Sequence, residues 1–129
     1  MIEIKEFTSS DKEFKEIAKI FNLVSHDYLV HYKDDMDEWQ IRDKTLLNKR
    51  FLLYKNDIPI GYVIFEQGQK ENNRTVFFTI KIVPKNVEKK YIDVLYDKML
   101  KKIKTIRCNK ILTEVYEHPN YSDIQKYLI

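Results

Sequence analysis

The sequence predicts an α/β (α+β) domain in which a central, mostly antiparallel sheet is flanked by helices. Two patterns support this fold class: apolar residues alternate along several short segments, and they recur at three and four residues along others. The 129 residues are enough for one domain with its own core. The predicted order of elements is β-α-α-β-β-β-α-β-α.

Composition excludes several classes of protein. Hydrophobic residues make up 43% of the chain and charged residues 33%, which is typical of a folded domain. The 23 basic and 20 acidic residues nearly cancel, so the charge gives little support for nucleic-acid binding. No segment approaches the roughly 18 apolar residues of a membrane span, and no leader pattern begins the chain, so we expect a cytoplasmic protein without a membrane partner.

The first strand and the first helix follow from local signals. Ile2 and Ile4 alternate with charged residues and predict a short strand at the beginning of the chain. Ser10 and Glu13 form the pattern of a capping box. Behind it, apolar residues at helical spacing predict a helix over residues 11–24.

A second helix and a hairpin come next. A weaker apolar stripe predicts a helix from about Asp35 to Asn48. Two apolar runs, 50–55 and 58–67, flank Asn56-Asp57 and predict two strands joined by a tight turn.

The second half of the chain predicts alternating strands and helices. Residues 74–83 form a strand with Thr79 and Lys81 at outward positions, and Pro84 ends it. The remaining predicted elements are a long helix over 88–107, a strand over 110–116 and a last helix that begins near Asn120.

This order of elements resembles that of the GCN5-related N-acetyltransferase (GNAT) superfamily. The resemblance covers nearly all of the chain and is carried most by residues 74–127: a long strand ending in Val83-Pro84, a loop into a long helix, a short strand, and a helix begun by Asn120. It implies the GNAT-like acyl-CoA N-acyltransferase fold. It further implies acetyl-CoA as co-substrate, no metal, and transfer of the acetyl group to an amine of a small molecule or peptide.

The loop after the long strand departs from the family pattern. In the family this loop and the following helix start hold the pyrophosphate of acetyl-CoA through backbone N–H groups, and glycines allow the close approach. Aligned on Pro84, the first of these glycines falls on Lys90, so the motif is degenerate here. Lys89 and Lys90 either contact the phosphates in compensation or are solvated charges at a helix start.

The resemblance assigns further residues. It places Ile82 and Val83 at the strand that positions the thioester, and Asn120 at the cofactor side of the last helix. Tyr127, seven residues after Asn120, matches the tyrosine that protonates the departing thiolate as a general acid. The alternative is that Tyr127 is a core aromatic residue of an amphipathic helix.

A general base for the acceptor amine is less clearly marked. Glu66, at the end of the second hairpin strand, is the best-placed carboxylate. It can equally be an outward-facing strand residue.

The family pattern continues beyond the last helix through two more strands, whereas this sequence ends two residues after Tyr127. We therefore expect residues 1–129 to be one GNAT-like domain, the N-terminal portion of a longer chain. In that case a C-terminal domain supplies the missing strands; the alternative is that a partner chain, such as a homodimer partner, supplies them.

Other reactive residues point to structure rather than chemistry. His26, Asp27, His31 and two further acids lie close together in sequence, but the two histidines are five residues apart and do not share a helix face, so we expect no metal site. Cys108 is expected to be structural. A row of lysines follows one face of the long helix and is interpreted as a solvated face: Lys98, Lys101, Lys102 and Lys104.

Three functions therefore follow from the sequence. The first is an acetyl-CoA-dependent N-acetyltransferase. The second is a non-catalytic interaction or regulatory domain on the same fold, with any activity in a missing C-terminal part. The third is a binding module that uses the row of lysines.

Overall fold

Five strands form one sheet in the order in which they occur along the chain. The structure, a computed structural model, describes residues 1–25, 29–68, 75–104 and 110–113. The strands are β1 (Ile2–Glu6), β2 (Asn48–Lys55), β3 (Ile58–Gln67), β4 (Thr75–Ile82) and β5 (Lys110–Thr113). The helices are α1 (Asp11–Val24), α2 (Tyr32–Ile41) and α3 (Lys89–Ile103), and a 3-10 turn covers Pro84–Asn86.

The sheet is antiparallel from β1 to β4 and becomes parallel between β4 and β5. In the parallel pair, Thr75 lies opposite Lys110 and Phe78 opposite Thr113. This confirms the mostly antiparallel sheet expected from the sequence. The crossover from β4 to β5 contains α3, as a parallel connection requires.

The predicted hairpin is confirmed, and its turn has the expected chemistry. Asn56 and Asp57 both have positive φ, 51° and 65°, which suits the mirror-image turn that connects twisted strands. The register between β2 and β3 shifts at Leu53 and Tyr54, opposite Pro59. Ile60 is the extra residue of a bulge at this point, and Pro59 lies next to it, at a type of position in a sheet where proline is tolerated.

One of the two glycines is required by a close approach between strands. Gly61 lies opposite Ile82 on β4. A Cβ at position 61 would stand 3.0 Å from both the Lys81 carbonyl oxygen and Cγ1 of Ile82. Only glycine avoids this contact without a shift of β4.

The core fills the space between the sheet and α3. Phe51 and Phe65 stack there with ring centroids 6.1 Å apart, and Phe78 packs against Tyr96 of α3. The helix buries an apolar stripe that includes Ile92, Leu95, Met99 and Ile103. The alternate residues of β4 that face α3, Val76, Phe78, Ile80 and Ile82, are all buried.

The other face of the sheet carries α1 and α2. The start of α1 is the capping box that the sequence predicts: the Glu13 amide donates to Ser10 Oγ, and the Glu13 carboxylate accepts from the Ser10 amide. Ile17, Ile20 and Val24 of α1 are buried. Phe7 lies between the two helices, with its ring 4.9 Å from Phe14 and 5.0 Å from Trp39.

The predicted bounds of the second helix are wrong by several residues. The helix is Tyr32–Ile41, and its first turn is capped by His31, whose Nδ1 accepts from the Lys33 amide. Leu47, expected in the helix, instead pairs with Gln67 at the end of β3. The Leu47 amide donates to Oε1 of Gln67, and the Gln67 amide donates to the Leu47 carbonyl. Leu47 is thus paired with the sheet, although the helical spacing of apolar residues predicted it in the helix.

The chain beyond Thr113 and the segment 105–109 lie outside the described residues. The expected last helix, and the ends of the long helix and of the last strand, therefore stay predictions.

Candidate functional site

The end of β4 leads directly to the start of α3. The Val83 amide donates to the Ile60 carbonyl at 2.9 Å, and Pro84 then begins the 3-10 turn. Ile82 and Val83 are only 1% and 6% exposed, with side chains in the core. A ligand at this corner would therefore contact these two predicted residues through their backbone.

The first turn of α3 keeps unpaired backbone donors. Glu88 occupies the N-cap position with extended backbone, and its side chain makes no capping hydrogen bond. The Tyr91 and Ile92 amides both donate to the Glu88 carbonyl. The amides of Lys89 and Lys90 have no acceptor among the described residues. With the helix dipole they form a site of the type that binds anions.

Three lysines surround this turn, and two of them have carboxylate partners. Lys89 Nζ lies 2.7 Å from Asp93 Oδ2, and Lys90 Nζ lies 3.5 Å from Glu88 Oε2. The hydrogen bond and the negative charge of Asp93 raise the pKa of Lys89, which stays protonated at neutral pH. Both pairs are exposed, so each contributes little to stability and a phosphate can replace the carboxylate. Lys85, in the 3-10 turn that precedes the helix, is also exposed.

The loop does not need the conformational freedom of glycine. Val83, Val87 and Glu88 have φ of −54°, −70° and −141°. Positive φ at non-glycine residues occurs elsewhere in the described chain, at Ser9, Asn56 and Asp57. The loss of the family's glycine at Lys90 therefore leaves the backbone unstrained. The free amides and the lysines are groups of the kind that bind phosphate, whereas the Cβ of Lys90, where the family has glycine, narrows the approach of a phosphate to the backbone.

A cavity of about 370 Å³ lies on the other face of the sheet, between α1, α2 and β3. Apolar and aromatic side chains form most of its wall, and three carboxylates of α2 lie along one side. The lining residues are Ile17, Ala18, Phe21, Leu29, Val30, Asp34, Asp35, Glu38, Tyr62 and Ile64. A cavity with apolar walls and a few polar groups on one side is typical of a small-molecule site. We call it the α1–α2 cavity.

A buried arginine holds α2 over the sheet. The Arg50 guanidinium donates to both carboxylate oxygens of Asp35, at 2.7 and 2.8 Å. It also packs against the rings of Phe7, Phe14 and Trp39, at 5.0, 5.8 and 4.8 Å from the centroids. From the sequence, Arg50 was placed only at the start of a strand, and its pairing with Asp35 was not predicted. A charged residue next to an apolar strand run was the available signal.

The predicted outward position of Lys81 is wrong. Lys81 is 3% exposed, lies opposite Tyr62 in the sheet, and has its Nζ 5.1 Å from the centroid of Phe21. Its face of β4 is covered by α1, and a single strand pattern cannot show what covers its polar face. Thr79, also predicted outward, is half-buried on the same face, opposite Ile64.

Glu66, the predicted base, is exposed at the far end of β3. It lies opposite Asn48 and Phe77, and its Oε2 accepts from Asn48 Nδ2 at 3.4 Å. Ile64 of the α1–α2 cavity is two residues away on the same face of the strand, about 7 Å along it. The structure thus places Glu66 on the side of the cavity but outside its wall.

Several predicted residues cannot be placed. Asn120, Tyr127, His26, Asp27 and Cys108 lie outside the described residues. Within the described ranges, no group of three or more His, Cys, Asp or Glu side chains could hold a metal ion. No helix among the described elements is long and apolar enough to cross a membrane.

The row of lysines on α3 is partly engaged within the fold. Lys102 Nζ lies 3.7 Å from Glu6 Oε1, and Lys98 Nζ lies 5.7 Å from the centroid of Phe51. Lys101 and Lys104 are exposed. The row is therefore less continuous as a surface than the sequence indicates.

No protein-family model and no curated protein sequence matches the chain. Solved structures match it over nearly its full length at low identity. An N-acetyltransferase from Staphylococcus aureus Mu50 has a TM-score of 0.75 at 10% identity, with 99% of this chain and 82% of the other covered. The ribosomal-protein-alanine N-acetyltransferase of Brucella melitensis biovar Abortus 2308 has a TM-score of 0.68 at 14% identity, with 99% and 89% covered.

A third neighbour carries a ligand. It is a protein from Salmonella typhimurium, assigned as an acetyltransferase and solved with its cofactor acetyl-CoA. Its TM-score is 0.72 at 17% identity, and 94% of this chain and 73% of the other are covered. Together with the strand order and the β4–α3 corner, these neighbours show that the chain has the fold of the GCN5-related N-acetyltransferases.

Proposed function

We propose that the chain is an acyltransferase that moves the acetyl group of acetyl-CoA to an amine. The observation that carries this proposal is the uncapped start of α3, which lies directly after β4 and is surrounded by Lys85, Lys89 and Lys90. The fold shared with solved N-acetyltransferases supports it, one of which holds acetyl-CoA.

In this proposal, the residues of the corner hold the pyrophosphate. The amides of Lys89 and Lys90 donate to phosphate oxygens, and the helix dipole favours the negative charge. The three lysine side chains exchange their carboxylate partners, or water, for phosphate. Backbone groups of Ile82 and Val83 orient the thioester arm, since their side chains are buried.

Acetyl-CoA supplies an activated thioester, and the amine attacks its carbonyl carbon. A C–N bond forms, the C–S bond breaks, and the proton lost from nitrogen balances the proton gained by the thiolate. We propose Glu66 as the group that takes up the amine proton, through water because it stands outside the cavity wall. We propose Tyr127 as the acid at sulfur, with Asn120 at the start of its helix, as the family resemblance implies.

Thermal unfolding with and without acetyl-CoA tests the proposal. A ligand at 100 times its dissociation constant stabilises the folded state by about 2.7 kcal/mol, so a clear rise in Tm is expected. Release of free thiol in the presence of an amine panel then measures transfer. An unchanged Tm at millimolar acetyl-CoA and at millimolar CoA would overturn the proposal.

Two variants separate the proposed roles. Tyr127→Phe should leave acetyl-CoA binding intact and lower kcat, because only a proton donor is removed. Glu66→Gln should lower kcat/KM most at the low end of the pH range of activity, where a smaller fraction of the amine substrate is already deprotonated. Unchanged turnover in either variant would remove that residue from the mechanism.

The second candidate function is a non-catalytic regulatory domain on this fold. The absence of the family's glycines at the helix start favours it. It predicts acetyl-CoA binding without thiol release, or no binding at all, so the same two measurements distinguish the candidates.

A further inference from the structure

A cavity of about 460 Å³ lies where α1 meets the start of β3 and the 3-10 turn after β4. This volume is within the range of small-molecule sites. Its floor consists of Ile20, Ile60 and Val83, which are 1%, 3% and 6% exposed. The Val83 amide donates to the Ile60 carbonyl at 2.9 Å, so the pairing of β3 with β4 holds this floor in place. We call the cavity the α1–β3 groove.

Two large apolar side chains that line the groove are exposed to solvent. Leu23 of α1 is 46% exposed, and Ile58 of β3 is 63% exposed. Single exposed apolar residues are common on proteins, but apolar residues grouped around a concave surface mark binding sites. The buried floor and these two side chains therefore favour a ligand with apolar surface.

The uncharged side chains of the groove are all aliphatic: isoleucine, leucine, valine and proline. No aromatic ring of a described residue lines it, so a ring-shaped ligand gains no stacking contact there. A flexible aliphatic chain, in contrast, gains affinity with each methylene group that it removes from water. The lining thus favours an aliphatic ligand.

The charges of the groove are positive. Lys19 and Lys85 are its only charged side chains among the described residues, and both are exposed. Neither forms an ion pair with any residue that the structure describes. Glu16, one turn before Lys19, accepts from the Tyr54 hydroxyl group at 2.7 Å instead. The groove therefore offers two cations to a negatively charged group.

The spacing along α1 places one cation beside apolar surface. Lys19 and Leu23 are four residues apart and are neighbours on one face of the helix. The residues of α1 that line the α1–α2 cavity are different ones, apart from none shared with the groove, and that cavity carries three carboxylates. The two cavities thus differ in the sign of their charge, so an anion is attracted to the groove and repelled by the α1–α2 cavity.

We propose that the α1–β3 groove binds the anion of a medium-chain fatty acid. The aliphatic chain packs against Ile20, Leu23 and Ile58, and the carboxylate lies by Lys19 and Lys85. This inference goes beyond the proposed acetyl transfer and does not depend on it. Lys85 also belongs to the corner proposed to hold phosphate, whereas Lys19 has no part in that corner. Variants of Lys19 therefore distinguish the groove from the start of α3.

Isothermal titration calorimetry with decanoate, decylammonium and acetate tests both parts of the ligand. Decanoate should bind about tenfold more tightly than decylammonium, because attraction to two exposed lysines is replaced by repulsion. Acetate has the charge without the chain and should show no binding at the same concentrations. Equal binding of decanoate and decylammonium, or binding of neither, would overturn the inference. Acetate binding as tight as that of decanoate would leave only an anion site.

Matched variants locate the ligand. Lys19→Gln should weaken decanoate binding about threefold, and the double variant with Lys85→Gln about tenfold. Lys12→Gln, an exposed lysine of α1 outside the groove, is the control for charge. Leu23→Asn should weaken decanoate binding about threefold or more, because about half of this side chain is available to a ligand. Ile41→Asn, at an apolar residue 83% exposed and outside the groove, is its control.

These side chains are exposed, so all the variants should keep the Tm of the wild type within a few degrees, and thermal unfolding checks this. Decanoate affinity that is the same in Lys19→Gln and Leu23→Asn as in their controls would place the ligand elsewhere.

Two further measurements detect other occupants of the groove. A dimer in sedimentation velocity that Leu23→Asn dissociates would assign the groove to a second copy of the chain. Pelleting with phosphatidylglycerol vesicles that Leu23→Asn abolishes would assign it to a membrane surface. Either result without decanoate binding contradicts the proposal, whereas a monomer that binds decanoate and stays in the supernatant supports it. None of these measurements uses acetyl-CoA, so the proposed transferase function and the groove fail separately.

Discussion

The starts of α1 and α3 differ in how their side chains cap the backbone N–H groups. Each helix has backbone N–H groups in its first turn without intrahelical partners. At α1, the first-turn amide of Glu13 donates to Ser10 Oγ, and the Glu13 carboxylate accepts from the amides and hydroxyl groups of Thr8 and Ser10, which precede the helix. At α3, Glu88 provides no side-chain cap, and lysines surround the turn. The start of α1 therefore holds a carboxylate of its own, whereas the start of α3 has no side-chain cap and is open to an anion.

The difference shows how a fold separates stability from binding. Glu13 is only 9% exposed, and its carboxylate is part of the packed structure. The side chains of Lys89 and Lys90 at α3 are 63% and 65% exposed and can exchange partners at little cost. We therefore expect changes at α1 to alter unfolding and changes at α3 to alter ligand binding. Four experiments test this division, from the largest expected effect to the smallest.

Reversal of the lysine charges should give the largest effect. Changing Lys85, Lys89 and Lys90 to Glu replaces attraction to phosphate by repulsion. Acetyl-CoA affinity should fall about 100-fold or more, or about 3 kcal/mol, as measured by thermal shift or calorimetry. The control has the same net charge and changes three exposed lysines away from this turn to Glu: Lys12, Lys101 and Lys104. An equal loss of affinity in the control would mean that only overall charge matters.

The second experiment removes the negative charge of the Glu13 carboxylate at the start of α1. Glu13→Gln should lower the free energy of unfolding by about 2 kcal/mol, because hydrogen bonds from Thr8 and Ser10 lose a charged acceptor near a helix N-terminus. Glu88→Gln, the matched change at α3, should alter it by less than about 0.5 kcal/mol. Urea unfolding measures both. Similar losses in the two variants would contradict the comparison.

The pH dependence of stability should report the same cap. Burial alone would raise the pKa of Glu13, but the hydrogen bonds from Ser10 and Thr8 outweigh it and hold the pKa below its usual value. The unfolded chain then binds its proton at higher pH than the folded protein. This part of the stability is complete above the unfolded pKa and is lost as the pH falls through the folded pKa.

Urea unfolding between about pH 6 and pH 3 checks this dependence. The hydrogen bonds from Thr45 lower the pKa of Asp43 as well and add to the loss in the same direction. Glu13→Gln should therefore flatten the acid limb without abolishing it. An identical slope in wild type and Glu13→Gln would rule out Glu13 as a source.

The smallest effect should come from adding a side-chain cap to the start of α3. Glu88→Ser provides a hydroxyl that can accept from a first-turn amide of α3, as Ser10 does at α1. Stability should rise by about 0.5–1 kcal/mol, while acetyl-CoA affinity falls a few-fold because the cap competes with phosphate. Glu88→Ala removes the carboxylate without adding a cap and should not weaken binding. Tighter acetyl-CoA binding by Glu88→Ser would argue against the amides as donors.

The sequence by itself determined the elements whose signals are local. The capping box at Ser10, the Asn56-Asp57 turn and the apolar stripe of α3 each depend on residues within a few positions of one another. Their physical causes are hydrogen bonds to neighbouring amides, tolerance of positive φ, and helical spacing. The order of the elements predicted the mostly antiparallel sheet, and the family resemblance added the β4–α3 corner. Both are present in the structure.

The tertiary structure alone decided what covers each polar side chain. Lys81 has the pattern of an outward strand residue, yet α1 packs over it. Arg50 marks only the start of a strand in the sequence, yet it is buried among three aromatic rings and paired with Asp35, fifteen residues away. Leu47 follows a helical stripe but pairs with β3. Burial depends on elements distant in sequence, so these outcomes, like the α1–α2 cavity, could not follow from local patterns.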